Sequence, residues 1–190
     1  MHGATAPAPL PPRVWVVGPC GSGKSTVAAR LARALGIEAT HLDEIHWNPG
    51  WVETEPAEEE RRIAEVVRRP TWVIDGNYSR LRRPRMGSVD LFVWLDLPLQ
   101  VTLPRLLSRC VVRAAKRVPC CNGNHESIRL TFFDRESILL WALTTGRRRR
   151  RQLTEDLGGR PNVRLRSARA VEAWVRGAVT ATAGASRRRS

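Results

Sequence analysis

Nine consecutive residues, Gly18, Pro19, Cys20, Gly21, Ser22, Gly23, Lys24, Ser25 and Thr26, carry the strongest chemical signal in the chain. They fill the pattern GxxxxGK[ST] at every defined position, directly after an apolar run and at the opening of a helix-like stretch. Glycines at those positions let the backbone curl so that successive N–H groups converge on a phosphate. The helix N-terminus adds its partial positive charge at the same point. Lys24 has the reach for β- and γ-phosphates, and the Ser25 hydroxyl suits Mg²⁺. The pattern therefore predicts a phosphate-binding loop that takes ATP with Mg²⁺. Cys20 reads as a tolerated small residue within it, not as a nucleophile.

Phosphate binding alone names no reaction, so the surrounding acids matter. Three aspartates, Asp43, Asp75 and Asp96, follow short apolar runs, where a parallel sheet presents its carboxyl edge to ligands. Phosphoryl transfer calls for one carboxylate near Mg²⁺ and, in some cases, another for the acceptor's proton. Asp75 is the metal-side candidate, through water, together with Ser25. Asp43 is the candidate for holding or deprotonating the acceptor. Asp96, in the sequence LDLP, reads first as a cap for the following helix. Between His41 and Trp51 lie two histidines, two acids and two tryptophans. Trp47 and Trp51 either stack on an acceptor ring or pack a small subdomain. The histidines read as structural or hydrogen-bonding groups.

Arg105, Arg109, Arg113 and Arg117 recur every fourth residue and so form one helical stripe. Beside a triphosphate, Arg109 and Arg113 would neutralise the transferring group, with Arg117 on the bound nucleotide. A polar segment from Val118 to His125 and a second arginine block, Arg147–Arg151, complete a helix–loop–helix of about 105–150. That arrangement predicts a lid closing over ATP and excluding water. A solvated basic face is the simpler alternative for both blocks.

The elements that must position these groups can be read from apolar periodicity. Short runs at Arg13–Val17, Ala39–Leu42, Thr71–Ile74, Leu91–Leu95 and Val163–Leu165 predict strands. Helical spacing covers Lys24–Leu35, Glu55–Arg69, Pro98–Arg117, Asp134–Leu157 and Ala168–Val179. Strands alternating with helices imply parallel pairing and right-handed crossovers. A single α/β domain over 13–176 follows, with a disordered proline-rich leader at 1–12 and a flexible basic tail at 177–190.

Composition agrees with a folded domain: 190 residues, 42% hydrophobic and 26% charged. The exceptional quantity is a net charge of +14, almost all arginine, since lysine occurs only at Lys24 and Lys116. Four short blocks at 80–85, 105–117, 147–151 and 187–189 contain no acid and carry +17 together, leaving −3 for the rest. Such charge attracts polyphosphates and nucleic acids alike. An arginine-, alanine-, glycine- and proline-rich composition also fits G+C-rich coding. No secretory start precedes the first strand, and no run approaches a membrane span. Four cysteines without a CxxC pair point to free thiols in a reducing cytoplasm.

Several motifs occur together: the phosphate loop, HLDEIHWNPGW (41–51), WVIDGNY (72–78), LDLP (95–98), NGNHE (122–126) and the closing VRLRSARAVEAW (163–174). In this combination the chain resembles the bacterial DNA topology modulation proteins, a group of adenylate-kinase-related P-loop kinases, over about Val14 to Val175. The resemblance implies a nucleoside-monophosphate-kinase type of P-loop fold, an α/β architecture with a five-stranded parallel sheet in order 2-3-1-4-5 and a helical lid. It places Gly76, Asn77 and Tyr78 in the acceptor-binding turn after Asp75, with Asp43, Trp47 and Trp51 on the same side. Ser167 and Ala168 take the position bordering the adenine. Adenylate kinases continue their Asp-Gly pair with Phe-Pro-Arg, whereas this chain has Asn77-Tyr78-Ser79-Arg80, so an acceptor other than AMP is expected. The reading reached is an adenylate-kinase-like, ATP-dependent small-molecule kinase acting on a nucleoside, nucleotide or other small acceptor. The alternative is a nucleotide-regulated nucleic-acid-binding protein with little kinase activity. No helix-turn-helix or RNA-binding aromatic pattern supports that alternative. Titration with duplex DNA at two salt concentrations is expected to show only weak attraction, lost steeply with salt and indifferent to sequence.

Overall fold

In β1 (Arg13–Val17) the residues alternate strictly, and both faces are apolar, which a central strand buried on two sides requires. Val14 and Val16 join a core with Val27, Leu31, Val73, Val93 and Val175. Trp15 and Val17 join another with Leu42, Ile63, Trp72, Phe92 and Leu153. Helices cover both faces as a result. The computed structural model describes residues 8–125 and 138–188. The strands β2 (Ala39–His41), β5 (Trp72–Asp75), β1, β6 (Leu91–Leu95) and β9 (Asn162–Leu165) form one parallel sheet in that order. Counted along the five main strands, this is 2-3-1-4-5, as the resemblance implies.

On one face lie α1 (Lys24–Ala34) and α7 (Ala168–Arg187); on the other, α3 (Pro56–Val67) and α6 (Ile138–Leu157). Between β2 and α3 the chain makes a one-turn helix, α2 (Leu42–His46), and a hairpin of β3 (Trp47–Asn48) and β4 (Val52–Glu53). After β5 come α4 (Ser79–Arg82) and a 3₁₀ stretch, Arg83–Ser88. The long helix α5 (Leu99–Lys116) leads into a second hairpin, β7 (Pro119–Cys120) and β8 (Asn124–His125). Neither hairpin is foreshadowed by strand-like periodicity, because two-residue strands are too short to show one. The helix expected from Asp134 has its first residues, and the NGNHE motif its final Glu126, outside the described residues. So do most of the leader and the last arginine of the tail. Among the described residues no helix is long and apolar enough to cross a membrane.

The structure departs from the sequence reading at both termini. The stretch from 177, expected to fray, is helical to Arg187. Ala178 and Thr182 extend the buried face begun by Val175, and alanine needs no large side chain to favour a helix. The leader does not end loose either. Leu10 is buried and donates its N–H to Thr182 Oγ1 at 2.9 Å, tying the two ends of the chain together.

Gly21 shows how closely the elements approach. Its φ is +75°, and a Cβ there would lie 2.3 Å from the carbonyl oxygen of Thr102 in α5. A backbone oxygen has no rotamer by which to give way. Gly21→Ala is expected to cost about 2–4 kcal/mol, combining left-handed strain with overpacking. The check is a thermal or urea unfolding comparison with the parent protein.

Candidate active site

The phosphate loop leaves the carboxyl end of β1 and turns into α1 with no side chain closing the helix terminus. Gly23 sits at the N-cap in the left-handed region, no side chain bonds the first amides, and the first turn holds no acid. The positive end of the helix is therefore open to an anion. Ser22 Oγ is fully buried inside the loop without a hydrogen-bond partner. An orphaned hydroxyl in that place fits a loop built to hold phosphate oxygens. Lys24 folds back to donate to the carbonyl of Pro19 at 3.0 Å, a contact an anion would compete for.

Asp75 ends β5, the strand beside β1, and its two carboxylate oxygens face different partners. Oδ2 accepts from Ser25 Oγ at 2.8 Å. Oδ1 meets Nδ1 of His41, at the end of β2. Thus the hydroxyl and the carboxylate expected around Mg²⁺ do come together. Both are hard oxygen donors, and Mg²⁺ usually takes only one or two protein groups beside waters and phosphate oxygens. The donor set fits the ion. His41, read from sequence as structural or hydrogen-bonding, orients this carboxylate through its hydrogen bond. Its hydrogen bond to Asp75 raises the imidazole above its ordinary pKa, against the opposing effect of burial.

The turn after Asp75 is bound to the phosphate loop. Asn77 accepts from the Gly18 N–H at 3.1 Å and donates to the Gly18 carbonyl at 2.6 Å. Gly76 accepts from Trp15 Nε1 at 3.1 Å. With φ at +139°, a Cβ on Gly76 would come within 2.7 Å of Leu42 Cβ, so the glycine is required by the approach of α2. Tyr78 then donates its hydroxyl to Asp43 Oδ1 at 2.8 Å. Burial, and next the charge of Asp43, push the phenol far above its usual value, so it stays protonated as a donor. Asp43, Asp75, Gly76, Asn77 and Tyr78 therefore share one edge of the sheet with the loop.

The tryptophans belong to a packed subdomain. Trp47 and Trp51 meet edge to face at 5.6 Å, and His46 lies 4.6 Å from Trp47 and 4.8 Å from Tyr78. The hairpin formed by the polar segment from Val118 to His125 is latched to them. Asn122 donates to the carbonyls of Glu44 and Trp47, both at 2.7 Å. Asn124 accepts from Trp51 N at 2.9 Å and donates to Asn48 O at 2.9 Å. The polar NGN run carries that latch, and a side chain–backbone pairing of this kind leaves no periodic trace. Cys121, beside it, has its thiol pushed up to about 12 by burial and then by Asp43, so it remains protonated. His46 contacts the fully buried Glu59, which also pairs with Arg80.

The arginines divide sharply by role. Arg109 and Arg113 are half-buried on α5, whereas Arg105 is exposed and Arg117 ends the helix in the left-handed region at φ +48°. Asp96 is not a helix cap: Pro98 precedes α5, with no side-chain cap. Asp96 is buried instead and accepts from Arg150 and Arg164, each at 2.8 Å. A buried carboxylate needs such partners more than a helix end needs a cap. The block at 80–85 is spent likewise. Arg82 and Arg83 pair with Asp156, Arg85 with Glu60, and Arg80 with Glu59. Burial opposes ionisation of Asp156, but Arg82 and Arg83 outweigh it and hold the carboxyl below its ordinary value. Ser167 caps α7 by accepting from the Ala170 N–H at 3.1 Å, with Ala168 opening the helix. Of the lid expected over about 105–150, residues 126–137 lie outside the described residues.

This architecture is that of the P-loop NTPases of nucleoside-monophosphate-kinase type. No family model matches the chain, and neither does any curated protein. Among solved structures it is similar to a gluconokinase from Sinorhizobium meliloti 1021, at 20% identity over 95% of this chain and 96% of that one, with a TM-score of 0.53. It is also similar to a sugar kinase from Janibacter sp. HTCC2649, at 17% identity over 90% and 98% of the two chains, with a TM-score of 0.46. Likeness at these identities is likeness of fold.

The two histidines titrate in opposite senses. His41, raised by Asp75, contributes stability that is complete below its ordinary value of about 6.5 and lost as pH rises through its raised pKa. Burial holds His46 below its ordinary value, Arg80 adding to this against Glu53 and Asp43. Its contribution is therefore lost as pH falls below about 6.5. The unfolding midpoint is expected to peak near that pH. His41→Asn should flatten the alkaline limb and His46→Gln the acid limb. A peak unchanged in both variants would show that neither histidine sets it.

Proposed function

We propose that the protein is an ATP- and Mg²⁺-dependent phosphotransferase acting on a small hydroxyl-bearing acceptor. The observation that carries this reading is the placement of Asp75 and Asp43 on either side of one turn. Asp75 faces Ser25 of the phosphate loop, while Asp43 is held by Tyr78 just beyond it. A nucleotide-binding switch needs the first carboxylate; only transfer to a hydroxyl gives the second a task. The gluconokinase of like fold agrees with a small acceptor of this kind.

In this reading the loop amides and Lys24 hold the β- and γ-phosphates. Ser25 and, through water, Asp75 hold Mg²⁺, which when bound neutralises charge on the phosphates. Asn77 keeps the acceptor turn in register with the loop through Gly18. The acceptor hydroxyl oxygen attacks the γ-phosphorus, and the bond from phosphorus to the bridging oxygen breaks, so that ADP leaves with the electron pair. Asp43 takes the hydroxyl proton on Oδ2, the oxygen that Tyr78 does not occupy. Arg109 and Arg113 offset charge on the transferring group. Arg117, Ser167 and Ala168 border the nucleotide, and Trp47 and Trp51 shape the acceptor side. The resemblance to the DNA topology modulation proteins is compatible with this assignment, since it is a resemblance to P-loop kinases. The nucleic-acid reading draws no support from the block at 80–85, each arginine of which pairs with a carboxylate.

An ATP-consumption screen against nucleosides, nucleotides, sugars and small acids tests the reading directly. Lys24→Ala is expected to lower turnover by about 10²–10³-fold. Asp43→Asn should lower kcat by about 10²–10⁴-fold while ATP binding by calorimetry stays within about twofold. Unchanged binding and turnover in Lys24→Ala would refute the site.

A further inference from the structure

The acid assigned to the acceptor's proton sits on an element too small to fix its own direction. Asp43 is exposed, and α2, which carries it, is a helix of five residues. A helix that short closes few hydrogen bonds of its own and depends on outside partners. Leu42 and Ile45 bury one side of it. Its carbonyl end is held by hydrogen bonds. Asp43 O accepts from the Trp47 N–H, His46 O from the Thr54 N–H at 2.7 Å, and Glu44 O from Asn122. The Asn122 amide also donates to Trp47 O, each of its two bonds being 2.7 Å long. Both amide hydrogens are therefore committed to the end of α2.

Asn122 is aimed by a turn held under backbone strain. In the second hairpin Pro119 stands opposite His125 and Cys120 opposite Asn124, which leaves three residues to reverse the chain. All three have positive φ: Cys121 at +39°, Asn122 at +63° and Gly123 at +83°. That region disfavours residues with a Cβ, asparagine less than most. Strain of this sort persists only where surrounding contacts enforce it. The turn also lies near the acid itself, since the charge of Asp43 helps to push up the Cys121 thiol. Its root is α5, whose Thr102 carbonyl leaves no room for a Cβ on Gly21 of the phosphate loop. One continuous stretch of chain thus meets the phosphate loop at Thr102 and the end of α2 at Asn122.

We propose that Asn122 is a positioning residue for the transfer: by holding the carbonyl end of α2, it fixes where Asp43 stands relative to the phosphate loop. The inference rests on the phosphotransferase reading and deepens it. In this role Asn122 touches neither acceptor nor nucleotide. It acts through Asp43, which Tyr78 also holds. Misplacing a reacting group by about 1 Å slows a reaction by up to about 10²-fold, whereas ATP binding, made by the loop, does not depend on that group.

Asn122→Gly removes the amide from a turn that glycine adopts without strain. Asn122→Asp keeps the size, but its carboxylate has no donor for the two carbonyls. Turnover is to be measured with ATP and Mg²⁺ and, as acceptors, gluconate, glucose, adenosine and AMP. With whichever of the four is phosphorylated fastest, both variants are expected to lower kcat by roughly 10–10²-fold and leave KM for ATP within about twofold. In an Asp43→Asn background the same substitutions should change kcat by less than about twofold, because the group they misplace is already disabled. Hydrogen exchange supplies a readout free of acceptor. The Trp47 amide, bonded to Asp43 O, should exchange roughly tenfold faster or more in both variants, with the amides of β1 and β5 unchanged as the sign of an intact fold. Unchanged kcat, an equal loss of kcat in the Asp43→Asn background, a raised KM for ATP or an unaltered Trp47 amide would overturn the inference while leaving the phosphotransferase reading intact. Absence of ATP consumption with all four acceptors, ATP-Mg²⁺ still bound by calorimetry, would instead remove that reading and the inference with it.

Discussion

One carboxylate holds the working edge of this molecule together. Asp75 ends β5, flanked by β1 and β2, so it lies between the phosphate loop that follows one neighbour and the segment from Leu42 that follows the other. Its two oxygens take Ser25 on the first side and His41 on the second. The chain then turns at Gly76 and fastens itself to Gly18 through Asn77. Three strand ends thereby acquire a common geometry. That such groups meet at all follows from parallel pairing, which brings the carboxyl ends of neighbouring strands to the same edge.

Polar contacts tie the segment after β2 to this edge. Tyr78 reaches Asp43, His46 reaches the buried Glu59, and Asn122 and Asn124 bind the hairpin after α5 to the segment from Glu44 to Trp51. A loop held by side-chain amides to backbone carbonyls is anchored in direction as well as position, because amide hydrogen bonds weaken steeply when misaligned. Acceptor segment and hairpin are thus linked across more than seventy residues of chain. A ligand that moved one would carry the other with it.

Charge, the conspicuous property of the sequence, divides into distinct uses once the fold is known. The block at 80–85 neutralises Glu59, Glu60 and Asp156, and Arg150 joins Arg164 on Asp96. These arginines are structural cross-links, matched to acids even where, as at Arg80, Arg83 and Arg150, the side chain is exposed. Arg109, Arg113 and Arg149 are half-buried. A positive total of this size says little about partners until each guanidinium has been assigned its nearest acid.

The phosphate loop and the five main strands were legible in the chain because each rests on local rules, whereas the strand order was what the family resemblance implied. Glycine permits a curl, alternation marks a buried strand, and parallel neighbours demand right-handed crossovers. Asp75 and Ser25 could be paired in advance by chemistry, since phosphoryl transfer asks for a carboxylate near the Mg²⁺ that the phosphate-loop hydroxyl ligates. The role of Asp96, the partners of the arginine blocks, the orienting contact of His41 and the asparagine latch could not be read this way. Each depends on which side chain, tens of residues distant, happens to lie within 3 Å. The helix beyond 177 was missed for a related reason. Its buried face is made of alanine and threonine, residues whose burial depends on the neighbour that covers them. The sequence by itself determined the phosphate loop and the five main strands, since backbone geometry and strand pattern are local properties, while their order came only from the family resemblance. Only the tertiary structure decided which charges are spent on holding the fold and which remain beside the site, because electrostatic partnership is settled by distance and burial in three dimensions.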